Sequence, residues 1–84
     1  MLTLYTKPGC AYCRQAKELL DSLHVEYNEI DALRNPELHN EARKKYGWPT
    51  VPLIVCNDEL LGGYDDIADL HRRGLLLSKI KSIS

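Results

Sequence analysis

The stretch LTLYTKPGCAYCRQAKELL, residues 2–20, changes its period part-way along. Residues 2–5 alternate apolar and β-favouring side chains and stop at Lys7, Pro8 and Gly9, the pattern of a short strand entering a loop. Ala16, Leu19, Leu20 and Leu23 then recur at helical spacing, with Cys13 extending that stripe by one turn and Cys10 at or just before the helix start. Two thiols of different exposure therefore stand where a loop becomes a helix.

Working outward, residues 25–30 read as a second strand. Asn35 and Pro36 read as the N-cap and first position of a second helix, with Leu38, Ala42 and Tyr46 on one face and Gly47 as a left-handed C-cap. Residues 53–56, LIVC, are a buried strand, Asn57 and Asp58 a hairpin turn, and residues 59–61 the return strand. Asp65 can cap a third helix that carries Ile67 and Leu70 and ends at Gly74, and the tail adds a further helical turn or two. The order β-α-β-α-β-β-α predicts an α/β fold with a four-stranded mixed sheet flanked by helices. The cysteine pair falls at the C-terminal end of the first strand, the edge where α/β domains place ligands.

With 84 residues there is room for one domain and one core, so residues 1–84 are expected to form a single unit. A hydrophobic fraction of 44% with 27% charged residues describes a folded globule, not a disordered segment. The net charge of -1 and a pI near 6.3 lack the basic footprint that nucleic acid or an anionic membrane requires. The N-terminus has no basic leader and no apolar run reaches membrane-spanning length, so a cytoplasmic location is expected. Three cysteines cannot make an even disulfide framework, and a close pair in a reducing compartment is catalytic or metal-binding more often than structural.

A helix N-terminus directs unpaired N–H groups and partial positive charge at whatever stands there, and only the thiolate form of a cysteine is nucleophilic. Cys10 is therefore expected to have a lowered pKa, helped by Lys7 and by Arg14 and Lys17 nearby, since thiols in such settings titrate at roughly 3.5 to 7.5. Cys13, one turn deeper, is placed to attack a mixed disulfide formed on Cys10. Zinc would want about four ligands, and Cys56, in an apolar strand, and the scattered His24, His39 and His71 make a poor set. Cys56 reads as an inert core thiol and the histidines as solvated helix residues.

The pieces YTKPGCAYC (residues 5–13), TVP (50–52) and GGYDD (62–66), in this order and spacing, resemble the glutaredoxins, small thiol oxidoreductases of thioredoxin-like fold that use glutathione. The resemblance covers almost the whole chain. It implies catalysis by Cys10 and Cys13, and glutathione binding by Lys7, Tyr12, Thr50, Val51, Pro52, Gly63, Tyr64, Asp65 and Asp66. Lys7 would meet the glycine carboxylate, and a cis bond before Pro52 would let Val51 offer its N–H and C=O to the ligand's cysteinyl backbone. Gly62 and Gly63 would let the chain come close, the start of the third helix would take the γ-glutamyl carboxylate, and Asp65 would face its amine. Asp66 assists this site or the helix dipole, and Tyr12 flanks the ligand or is a surface ring.

Three departures bear on subclass. Ala11 replaces the proline common after the first cysteine of dithiol members, Trp48 and Pro49 resemble the monothiol, iron-sulfur-carrying subclass, and Tyr64 stands where many dithiol members have cysteine. The resemblance thus implies a dithiol enzyme, a monomer, that reduces glutathionylated and disulfide-containing proteins. Its alternative is a dimer holding a [2Fe-2S] cluster between two Cys10 thiolates and two glutathiones, with no metal ligand other than Cys10. A thioredoxin-like donor reduced by a flavoprotein is a third reading, in which Lys7, Gly63 and Asp65 have no purpose.

Overall fold

A computed structural model describes residues 2–83. The elements run β1 (Leu2–Thr6), α1 (Ala11–Ser22), β2 (Tyr27–Asp31), α2 (Pro36–Tyr46), β3 (Leu53–Cys56), β4 (Glu59–Gly62), α3 (Tyr64–Arg72) and α4 (Leu76–Ile83). The sheet order is β2-β1-β3-β4, with β1 and β2 parallel and the other two pairings antiparallel. The mixed four-stranded sheet expected from the sequence is the one formed.

Alternation along the strands divides the core in two. Leu2, Leu4, Ile54 and Cys56 face α1, α3 and α4, packing on Ala16, Leu20, Ile67 and Leu76. Leu53 and Val55 face the opposite way, onto Ala42 of α2 with Tyr5, Tyr46 and Trp48 around them. The run LIVC is apolar at every position because β3 lies in the middle of the sheet and is covered on both faces. Leu4 and Leu20 are fully buried, each removal from water contributing about 1.5–3 kcal/mol.

Several boundaries and faces differ from the sequence reading. β2 starts at Tyr27 and not at residue 25, because the N–H of Val25 turns back to the Leu20 carbonyl at 3.0 Å and that of His24 to Asp21 at 3.0 Å, closing α1. His24, in the left-handed region at φ 56, belongs to this exposed turn and not to a helix. α2 is rotated by one position: His39 and Ala42 are buried and Leu38 is 47% exposed. His39 is thus a core residue, stacked on Tyr5 with ring centroids 6.0 Å apart, and not a solvated one. Asp65 does not cap α3; Gly63 holds the N-cap position, and Asp66 reaches back to accept from its N–H at 2.9 Å. The tail forms α4, anchored by buried Leu76.

Candidate active site

The loop after β1 delivers Cys10 to the N-cap of α1, where its Sγ accepts from the N–H of Cys13 at 3.1 Å. The two cysteines are joined in a disulfide with Cα atoms 5.2 Å apart. Cys10 is half-buried, whereas Cys13, on the buried face of α1, is 2% exposed. An incoming group meets Cys10 first, and Cys13 stands behind it. This is the difference in exposure that the helical stripe predicts.

Two clefts lie near the pair. The first, about 350 Å³, is lined by both cysteines, by Lys7 and Ala11, and by Thr6, Arg14, Lys17, Glu29 and Asp31. At its floor the buried Thr6 hydroxyl donates to Glu29 Oε2 at 2.8 Å, and Lys17 Nζ donates to the same oxygen at 3.1 Å. Burial raises the Glu29 pKa, but these two donors outweigh it and hold the carboxyl below its ordinary value. Three elements, β1, α1 and β2, are thereby tied together beneath Cys13.

The second cleft, about 180 Å³, brings together Tyr12, Thr50, Val51, Pro52, Gly63, Tyr64, Asp65 and Asp66, eight of the nine residues singled out for ligand binding. Lys7 lines the first cleft instead. The Val51–Pro52 peptide bond is cis. Tyr12, 58% exposed, stacks on Tyr64 with centroids 6.2 Å apart, so the starts of α1 and α3 are bridged by an aromatic pair at the cleft mouth. Asp65 is exposed, while Asp66 lines the same cleft and accepts from the Gly63 N–H through one carboxylate oxygen.

Trp48, which the sequence marks only as a subclass feature, also lines this cleft. Its indole Nε1 donates to the Pro52 carbonyl at 3.2 Å, and its Cζ2 lies 3.1 Å from where a Cβ on Gly63 would stand. The ring therefore joins the Thr50 to Pro52 segment to the start of α3. The signal for that role was a lone tryptophan two residues before that segment, whose N–H needs an acceptor once half-buried. Glu29 and Thr6 were missed, because nothing local in a strand says which polar residue faces a cleft.

A family model described as Glutaredoxin matches residues 2–61. Glutaredoxin of Pseudomonas aeruginosa is 40% identical over 75 residues, covering 89% of this chain and 89% of that protein. Monothiol glutaredoxin-S17 of Arabidopsis thaliana is 32% identical over 77 residues, and there the matched part covers 92% of this chain but only 16% of the relative. Among solved structures, that of a buckwheat glutaredoxin-glutathione complex has a TM-score of 0.88 at 26% identity, covering 98% of this chain and 77% of that one.

Proposed function

The chain belongs to the glutaredoxin family, whose members are thiol oxidoreductases, and from that premise we propose that it is a glutathione-dependent reductase of glutathionyl mixed disulfides and protein disulfides. The observation that carries this reading is the Cys10–Cys13 disulfide at the N-terminus of α1, with the more exposed cysteine outermost and Tyr12, between the two, lining the cleft that holds the cis Val51–Pro52 segment. Cys10 thiolate attacks the glutathionyl sulfur, forms the Cys10–glutathione disulfide and releases the target as a thiolate. A second glutathione thiolate attacks the glutathionyl sulfur, leaving as oxidised glutathione and returning Cys10 to its thiolate. With a protein disulfide, Cys13 displaces the target from Cys10, forming the bond present here, and two glutathiones reduce it. In this reading Val51 pairs with the cysteinyl backbone of glutathione, the first N–H groups of α3 take the γ-glutamyl carboxylate, Asp65 takes its amine, Lys7 takes the glycine carboxylate, and Tyr12 and Tyr64 flank the ligand. A cytoplasmic site of action goes with this chemistry, which needs a reduced glutathione pool.

The test is turnover of a glutathionylated small thiol with glutathione and glutathione reductase. Cys10→Ser is expected to abolish all turnover, and Cys13→Ser to keep deglutathionylation while losing protein-disulfide reduction; activity in Cys10→Ser removes the assignment.

A second reading, the [2Fe-2S] dimer, is favoured by small, exposed Ala11 beside Cys10. One chain does not fit a cluster by itself: Cys13 is buried, and no group of three or more metal-binding side chains occurs among the described residues. The four thiolates a cluster takes would come from two Cys10 and two glutathiones. Colourless, iron-free protein after anaerobic reconstitution with glutathione counts against it.

A further inference from the structure

The first cleft carries a charge pattern of which glutathione, in the reading above, uses Lys7 alone. Both of its carboxylates are engaged. Glu29 is held by Lys17 and Thr6, and Asp31 by the N–H groups of Leu33 and Arg34 at 2.8 and 3.3 Å and by the Arg34 guanidinium at 3.9 Å. The two cations nearest the cysteines are not: Lys7 and Arg14 are exposed, and their side chains have no ion pair or hydrogen bond among the described residues. The uncompensated charge of this cleft is positive, while the second cleft presents the exposed carboxylate of Asp65.

Glutathione ends one residue either side of its sulfur. A protein substrate continues in both directions from the sulfur that Cys10 attacks, so a chain seated in one cleft must leave by another path. We propose that the first cleft is that path: a docking channel for polypeptide substrates whose target cysteine is flanked by acidic side chains, which pair with Lys7 and Arg14. The proposal rests on the reading of Cys10 as the attacking thiol. Lys7 meets a carboxylate in either case, of glutathione or of a protein, because the two substrates occupy Cys10 in turn; Arg14 is specific to the polypeptide.

Two short peptides test it, one with glutamates and one with lysines around a central cysteine, each carrying that cysteine as a disulfide with 2-nitro-5-thiobenzoate. Reduced protein attacks the peptide sulfur, and the released nitrothiobenzoate is followed by its colour, with no glutathione needed. The acidic peptide is expected to react roughly three- to tenfold faster than the basic one, the range that one or two exposed charge pairs give, and the ratio should shrink as salt screens them. Arg14→Glu should abolish or reverse the preference, and any change that it makes to Cys10 reactivity scales both rates and drops out of the ratio. Equal rates, or a ratio that Arg14→Glu leaves unchanged, overturn the channel while leaving Cys10 as the nucleophile. If neither peptide reacts, the assignment of Cys10 fails, and the channel is decided by binding: serine versions of the peptides are titrated while the amide resonances of Lys7 and Arg14 are followed. Shifts with the acidic peptide alone support it, and equal or absent shifts overturn it.

Discussion

Gly63 is a position where an ordinary backbone conceals a steric requirement. Its φ of -109° and ψ of -164° are open to any residue, so glycine is not there for conformational freedom. An added Cβ would stand 3.1 Å from Trp48 Cζ2 and 3.5 Å from the Pro52 carbonyl oxygen, and only the first of these is too tight. Gly63→Ala should therefore destabilise the fold by about 1–3 kcal/mol, the usual range for overpacking, and raise KM for a glutathionylated substrate more than it lowers kcat. Combining it with Trp48→Leu should recover part of the lost stability, because the smaller side chain yields the space. Urea unfolding of the two single variants and the double variant measures this, and strictly additive effects would mean that the ring and the glycine do not press on each other.

At the scale of elements, α2 ends where a left-handed residue closes it. Gly47 has φ 64° and its N–H donates to the Arg43 carbonyl, with nothing among the described residues within 4 Å of the place where a Cβ would be. The cost of Gly47→Ala is thus conformational alone, about 1–2 kcal/mol, which for a domain of this size lowers Tm by roughly 4–8 °C per kcal/mol; a calorimetric scan reads it. This C-cap was legible in the sequence, as was the hairpin at Asn57 and Asp58, both with positive φ, because turn and cap chemistry is written in adjacent residues. The start of β2 was not, because Val25 has the composition of a strand and only the carbonyl of Leu20 claims its N–H. The inward face of α2 was misread for a related reason. Leu38, Ala42 and Tyr46 satisfy helical spacing as well as His39, Ala42 and Tyr46 do, and the sheet that decides between them is distant in sequence. Most of the second cleft was legible from its loop motifs. The structural roles of Trp48, Thr6 and Glu29 were not, since they depend on partners far along the chain, Gly63 for the indole and the Thr6–Glu29 pair for the strands.

For the molecule as a whole, the layer between β1 and α2 makes stability depend on pH. Burial, with Lys7 and Arg43 nearby, lowers the pKa of His39 below its ordinary 6.5, and its Nε2 is buried without a hydrogen-bond partner among the described residues. The unfolded chain then binds a proton that the folded one resists, so stability is full above pH 6.5 and falls as pH drops through that value, levelling once His39 is protonated in the fold. Glu29, whose pKa is also lowered, loses its contribution in a separate window below 4.5. Urea unfolding at pH 7.5 and 5.5 should show a smaller loss in His39→Leu than in the parent; equal losses would place the titrating group elsewhere. The indole that braces the second cleft has one more consequence. It is the only tryptophan among 84 residues, so excitation at the red edge of the absorption band interrogates a single fluorophore, hydrogen-bonded to Pro52 and set against Gly63. Occupancy of that cleft should change emission intensity or wavelength in proportion to ligand bound, giving the protein a dissociation curve by light alone, without label, turnover or coupling enzyme.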